Sequence, residues 1–289
     1  MRTKALDFPK SILIETSNVC QGECKFCPYK KIRIHEKPVY LDFEKYIELI
    51  NEIAKFPVVR LTLFNNNEPL LDKRISEFIR YAHKMLPNVE ITLSTNGRQL
   101  TLEKIYELKD AGLTTLYVSI PTVEEEKYKK IMGISPKRVI DLLTNITDEE
   151  LYKMIRIAVP ITKYHNHDLI SSKLSNYIIC EWGLEYKESW EIDDTFFAIS
   201  DLSSYEGPCD RPLDQMVISS NGDAIICCRD WKGQNVVGNV YENSLYEIWH
   251  GEKMLEIQSH IALQQYDSIN CCRDCTMNKN YYLKRVKKR

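Results

Sequence analysis

Across its first two-thirds the chain alternates short β-rich runs with amphipathic stretches, and nothing else narrows its possible folds as much. Ile12–Glu15 reads as a strand, and "LDFEKYIELINEIAKF" follows with Tyr46, Ile47, Leu49, Ile50 and Ile53 on one helical stripe. Val58–Phe64 is a second strand, "RISEFIRYAHKM" a helix, and Val89–Ser94 a third strand. "LEKIYELKDAG" is a helix that Gly112 ends, and "TTLYVSI" a fourth strand. "KRVIDLLTNI" reads as a helix, "MIRIAVPI" as a fifth strand, "LISSKLSNYII" as a helix and "GLEYKESW" as a sixth strand. Strand–helix alternation at this pitch predicts a parallel sheet with right-handed crossovers. About six βα units are too few to close an eight-stranded barrel. The expected fold is therefore an open, partial (β/α)6 parallel barrel over residues 1–192, with ligands at the carboxyl ends of its strands.

The pattern changes in residues 193–289. "QMVISSNGDAIICC" predicts two short strands joined at Asn221-Gly222, and Ser244 with Glu247 has capping-box spacing. Six of the ten cysteines lie between 209 and 275. This segment reads as a small cysteine-rich C-terminal domain, an appendage and not a continuation of the barrel. The basic run "LKRVKKR" at the end reads as a solvated tail.

The 289 residues are 44% hydrophobic and 28% charged, which suits a globular chain. A net charge of -2 gives no global basic field, and no basic patch is interleaved with aromatics; both argue against a nucleic-acid partner. The amino-terminal stretch has no signal-peptide core, and no window approaches the ~20 apolar residues of a membrane span. A cytoplasmic protein without a membrane partner is expected. In that reducing compartment ten cysteines point to metal or redox groups, not to a disulfide framework.

"CQGECKFC" follows the first strand directly, on the functional edge, and holds Cys20, Cys24 and Cys27. Three thiolates can hold three irons of a four-iron, four-sulfur cube and leave the fourth open to a small molecule with an amine and a carboxylate. A structural zinc site would close its fourth position with protein, and a zinc knuckle or buried free thiols are the alternatives.

The C-x3-C-x2-C spacing, with Phe26 before the last cysteine and a strand before the first, resembles the radical S-adenosylmethionine (radical SAM) superfamily. The resemblance implies a [4Fe-4S] cluster whose open iron binds SAM, and reductive cleavage of SAM to a 5′-deoxyadenosyl radical that abstracts a substrate hydrogen. It also implies a reducing electron donor such as flavodoxin or ferredoxin. "FNNNEPLLD", at the end of strand two, stands where the family has Gly-Gly-Glu-Pro. Asn66 and Asn67 replace the glycines, while Glu68 and Pro69 remain. Ser94 and Asn96 of "STNG", and Ser119 after strand four, stand where the family makes polar contacts to SAM, although such residues are also ordinary turn formers.

The later cysteines resemble the SPASM/twitch extension of this superfamily. The resemblance implies one auxiliary [4Fe-4S] cluster on Cys209, Cys227, Cys272 and Cys275; a four-cysteine zinc ribbon is the competing reading. The doublets 227–228 and 271–272 leave each ligand open by one residue. The layout is similar to that of a radical SAM dehydrogenase acting on an aminocyclitol, and to SPASM-type peptide-modifying enzymes. The expected reaction is oxidation of a carbinol on a sugar or aminocyclitol, with the auxiliary cluster as electron acceptor. The alternatives are epimerisation, with Cys228 returning a hydrogen atom, peptide modification, or a non-catalytic iron–sulfur or zinc protein. Tyr29, Lys163, His165, Asp210, Arg211, Arg229, Asp230 and Trp231 are the candidates for contact with a small-molecule or peptide substrate, Arg229 first. Cys180 and Cys271 read as small buried hydrophobes.

Overall fold

A computed structural model describes residues 4–29, 36–162, 164–183, 209–273 and 275. Among them is one nine-stranded sheet in the order β6-β5-β4-β3-β2-β1-β7-β8-β9. Strands β1 (Ser11–Ile14), β2 (Arg60–Thr62), β3 (Glu90–Thr95), β4 (Thr115–Ser119), β5 (Ile155–Ile161) and β6 (Ile178–Gly183) are each parallel to the next. The helices between them are α1 (Phe43–Ile53), α2 (Ile75–Met85), α3 (Leu102–Asp110), α4 (Glu125–Met132), α5 (Lys137–Asn145), α6 (Glu149–Met154) and α7 (His167–Lys173). The sheet stays open, as the count of βα units requires.

Local chemistry sets the helix ends. Asp42 accepts from Lys45 N–H at the start of α1, and Thr101 from Lys104 N–H at the start of α3. Gly112, just past α3, takes φ +100°. On α1 the buried stripe is Tyr46, Leu49, Ile50 and Ile53. Tyr46 also donates its hydroxyl to Phe78 O at 2.9 Å, tying α1 to α2.

Strand alternation separates two faces. Ile12, Ile14, Leu61, Ile91, Leu93, Leu116 and Val118 are wholly buried in the main core shared with the helices. Ser11, Leu13, Arg60, Thr62, Thr92 and Tyr117 face the concave side and line a cavity of about 440 Å³. A closed barrel fills that space with branched apolar side chains; here the inward residues are mostly polar and leave room for a ligand.

Two expectations need correcting. The sixth strand is Ile178–Gly183 and the helix before it stops at Lys173, so none of "NYII" is helical, and the rest of "GLEYKESW" lies outside the described residues. The C-terminal segment is also no detached appendage. Strand β7 (Gln215–Ile218) pairs parallel with β1, in the register Ile12↔Met216, and β8 (Asp223–Ile225) and β9 (Val236–Asn239) extend the sheet antiparallel. Hydrogen bonds seal the join: Glu52 accepts from Leu245 N at 3.0 Å and Tyr246 N at 2.9 Å, and Trp249 Nε1 donates to Leu6 O at 2.8 Å. The expected hairpin is present with Gly222 at φ +88°, as is the capping box of Ser244 and Glu247. The expected boundary at 192/193 lies outside the described residues.

Candidate active site

The first cysteine loop leaves β1 and folds back on itself. Tyr29 holds it shut: its hydroxyl donates to Asn18 O at 2.7 Å and accepts from Cys20 N at 2.9 Å. Lys25 N–H donates to Ile131 O, anchoring the loop to the end of α4. Gly22 N–H donates to Cys20 Sγ at 3.3 Å. A Cβ on Gly22 would lie 3.3 Å from Cys20 Sγ and 3.5 Å from Cys24 Sγ. The bare glycine therefore leaves a cradle beside the two thiols. Burial pushes Cys20 up to about 11 and Cys27 up to about 12, with the Gly22 and Tyr29 N–H bonds pulling the other way. Burial also raises Cys24, and the charges of Cys27 and Cys20 add to the rise. Three half-buried thiols that resist ionising together are matched by a multivalent cationic centre. This donor set fits a thiolate-bound iron cluster.

The Asn66–Glu68 turn lies against that loop. Glu68 N–H donates to Val19 O at 2.9 Å, and Asn66 N–H to Glu15 Oε1 at 3.0 Å. Glu68 is buried; its Oε1 accepts from Thr95 Oγ1 at 2.7 Å and its Oε2 from Asn96 N at 2.7 Å. Burial pushes this carboxyl up to about 7, against the lowering effect of those bonds. The side-chain amide nitrogens of Asn65, Asn66 and Asn67 are buried without a hydrogen-bond partner, three donors available to a ligand. Asn96 Nδ2 lies 3.8 Å from the Cβ position of Gly22. Along β3 and β4, Ser94 and Ser119 share the faces of Thr92 and Tyr117, which line the cavity, one step nearer the carboxyl ends. The expected SAM contacts thus gather around one rim.

The second cysteine set converges as well. Cys209, Cys227, Cys271, Cys272 and Cys275 surround a void of about 20 Å³ with Arg211, Arg229 and Tyr266. That void holds about one water-sized body, so a four-iron cluster there needs the thiols to move outward. Burial pushes Cys209 up to about 12, and Cys227 adds to the rise. Burial opposes the charge of Arg211, yet Cys228, Cys227 and Cys209 together raise its pKa. The two doublets behave differently. Cys227 faces the void while Cys228 lines the large cavity. Cys271 and Cys272 both line the void, their sulfurs 3.8 Å apart. Cys271 is nevertheless packed in the core, as a small buried hydrophobe would be.

The large cavity spans the space between the two cysteine sets. Phe26, Cys27 and Pro28 line it from the first loop, and Cys228, Arg229 and Trp231 from the second. Arg229 touches both sides: its N–H lies 3.4 Å from Cys227 Sγ and its Nη1 3.7 Å from Cys275 Sγ. Burial lowers its pKa, and the neighbouring Cys275 counteracts.

Other candidates are otherwise engaged. Asp230 is buried and accepts from Gln234 N, Asn235 N and Asn235 Nδ2, so its carboxylate shapes a turn. Tyr29 clamps the cysteine loop, and Asp210 starts the turn Arg211–Asp214. His165 bonds to Glu181, and Lys163 lies outside the described residues. Cys180 sits on the edge strand β6, half-buried. Glu15, wholly buried at the end of β1, was not singled out from sequence. A charged residue closing an apolar strand is the signal it offers.

Comparison with known proteins agrees with this geometry. The family model "Radical SAM superfamily" matches residues 14–169, more than half of the chain, and "Iron-sulfur cluster-binding domain" (SPASM) matches residues 209–276. The chain is 20% identical over 266 residues to the S-adenosyl-L-methionine-dependent 2-deoxy-scyllo-inosamine dehydrogenase of Niallia circulans, covering 91% of each protein. Its fold is similar to that of BtrN in complex with AdoMet and 2-DOIA, with TM-score 0.69, 17% identity and 93% of each chain covered. It is similar also to Streptococcus suis SuiB bound to the precursor peptide SuiA, with TM-score 0.73, 17% identity, and 95% of this chain and 71% of that one covered. Among the described residues no helix is long and apolar enough to cross a membrane. With the family model covering the cysteine loop and strands β2 to β5, the chain belongs to the radical SAM superfamily, as an enzyme that uses SAM and an iron–sulfur cluster and carries a C-terminal SPASM domain for auxiliary iron–sulfur binding.

Proposed function

We propose that this enzyme oxidises a carbinol carbon of a sugar or similar polyol, with the SPASM domain holding the electron acceptor. The observation that carries the reading is a cavity lined by residues of both cysteine loops, Phe26, Cys27 and Pro28 from one and Cys228, Arg229 and Trp231 from the other. When bound, SAM with its cluster supplies hydrogen abstraction from an unactivated C–H bond, and an auxiliary cluster supplies a one-electron acceptor. In this reading Cys20, Cys24 and Cys27 hold the first cluster. Cys209, Cys227, Cys272 and Cys275 hold the second and leave no iron open to substrate. Glu68 binds the SAM ammonium, while Asn66, Asn67, Asn96, Ser94 and Ser119 orient its remaining polar groups and Phe26 packs beside it. Arg229 meets the substrate oxygen and steadies the negative charge that grows there as its proton passes to solvent water. Among the described residues the cavity is lined by Arg60 and Arg229 and by no carboxylate, which favours an uncharged sugar over a substrate ammonium. Electrons enter from a small reducing protein such as flavodoxin or ferredoxin, and ten cysteines read as metal or redox groups suit a cytoplasmic location.

A second reading rests on Cys228, which lines the substrate cavity but not the cysteine-ringed void. A thiol there can return a hydrogen atom to a substrate radical, giving an epimer, and the thiyl radical left behind is restored by one electron from the reducing protein and a proton from solvent. The fold's likeness to a peptide-bound enzyme keeps peptide substrates within both readings.

The test is anaerobic reconstitution with iron and sulfide. About eight irons per chain, falling to about four in the Cys209→Ala/Cys272→Ala variant, are expected from two four-iron clusters. Bound zinc in place of the second set of irons refutes the electron-acceptor role. Arg229→Ala with both clusters retained and turnover unchanged refutes the role given to Arg229.

A further inference from the structure

We infer that His165, His167 and Glu181 form a binding site for a divalent first-row transition-metal ion, separate from both cysteine sets. The site joins the loop after β5 to strand β6. His165 Nε2 lies 2.7 Å from Glu181 Oε1, and His167 Nδ1 lies 2.5 Å from the same oxygen. All three donor atoms lie within 4.8 Å of one another. Two imidazole nitrogens and a carboxylate oxygen are a borderline ligand set suited to zinc, iron or nickel.

Local structure produces the convergence. Asn166 is extended, at φ -147° and ψ 95°, so its two neighbours project to a common side. The Asn166 side chain turns away to accept from Leu169 N–H at 3.0 Å, capping α7. His165 N–H donates to Thr162 O at 2.9 Å, fixing the turn that brings its ring over β6. Glu181 is held on β6 by the register Val159↔Glu181.

Two neutral rings and one carboxylate make a ligand set with a single negative charge, which a divalent ion over-compensates. The far nitrogen of His167, Nε2, lies 3.1 Å from Ser171 Oγ. A hydroxyl both donates and accepts. It can therefore accept from Nε2–H when Nδ1 binds an ion, and donate to Nε2 when Nδ1 carries the proton. Such a partner fixes the ring orientation of a metal ligand. Zinc ligands stand about 2.0–2.2 Å from the ion, so tetrahedral donors lie about 3.3 Å apart. The carboxylate need retreat less than about 1 Å, within reach of half-exposed side chains. Three protein ligands leave a position for water or another small donor.

Zinc titration of the tag-free, cluster-loaded holoenzyme tests the site by calorimetry. The parent should bind one zinc more than His165→Ala/His167→Ala. Ser171→Ala should retain that zinc with about tenfold weaker affinity. Iron content and circular dichroism equal to the parent's show that the double variant is folded. If it is not, the nearly isosteric Glu181→Gln decides alone, and it should lose the same zinc. Zinc bound equally by parent and variants, on other surface groups or on displaced cluster thiols, overturns the proposal. So does the absence of any added zinc in the parent.

Discussion

Glu68→Gln keeps the shape of this side chain and removes its charge. Both carboxylate oxygens are in use: Oε1 accepts from Thr95 Oγ1 at 2.7 Å and Leu70 N at 3.2 Å, and Oε2 from Asn96 N at 2.7 Å. Glutamine has one oxygen, so its amide must face a donor, at a cost of about 1–3 kcal/mol. The parent carries a different penalty. Burial raises its folded pKa to about 7 from an ordinary 4.5, so the folded chain holds a proton that the unfolded chain has released between those values. Stability therefore falls as pH rises through that window, by about 3 kcal/mol in total. The variant loses this slope. It should be less stable than the parent near pH 5 and equal or more stable near pH 8. SAM binding should behave in the opposite sense, because an ammonium pairs with the ionised carboxylate. Parent affinity should drop about tenfold per unit below pH 7 as the proton competes. The variant should show no such dependence and bind about 10- to 150-fold more weakly above pH 7, the worth of a charged hydrogen bond of about 1.5–3 kcal/mol. Anaerobic equilibrium dialysis of SAM on cluster-loaded protein reads both. Equal affinity for parent and variant near pH 8, or a parent affinity flat between about pH 6 and pH 8, refutes the pairing of Glu68 with the ammonium.

Gly22→Ala puts a methyl group 3.3 Å from Cys20 Sγ and 3.5 Å from Cys24 Sγ, inside the cradle. Iron incorporated at the first site should drop while the fold by circular dichroism stays intact; full iron content would show that the cradle is not where the cluster sits. Cys227→Ser should cost about four irons and Cys228→Ser none, since only Cys227 lines the cysteine-ringed void. In the epimerase reading Cys228→Ser also stops product formation while hydrogen abstraction continues, visible as 5′-deoxyadenosine without epimer.

What the sequence reveals and what it hides differ in range. Cys20, Cys24 and Cys27 are eight residues end to end, and their loop closes through local partners such as Tyr29 and Gly22. The strand–helix alternation is local too, and it yields the open barrel. The pairing of β7 with β1 is not local, since five other strands lie between Ile12 and Met216 along the chain. A hairpin signal at Asn221-Gly222 reveals a turn and says nothing of the strand beside it. The sixth strand was misjudged because β-branched and aromatic residues run on through "NYIICEWGLEYKESW", and composition alone does not say where pairing with β5 begins. A carboxylate beside cysteines suggests chemistry, and only the fold shows that three N–H groups a few residues on engage Asp230 in a turn. Doublets defeat spacing outright, because neighbouring side chains point to opposite sides and only the fold says which side holds the void.

Glu15 shows how that long-range closure bears on the active site. Its backbone N–H donates to Ile218 O, joining β1 to β7. One carboxylate oxygen accepts from Asn66 N at 3.0 Å, and the other lies 3.4 Å from both the N–H and the hydroxyl of Ser220 in the hairpin turn. A single buried side chain thus fixes the turn proposed to hold SAM relative to the hairpin that leads to Cys227 and Arg229. An apolar replacement would leave Asn66 N–H buried without an acceptor and would loosen both segments together. Reactions that start at one cysteine set and end at the other depend on the distance between them, and in this chain β1 with Glu15 is the shared element that sets it. The SPASM segment is therefore one wall of the cavity proposed for catalysis, tied into the sheet that carries the first cysteine loop.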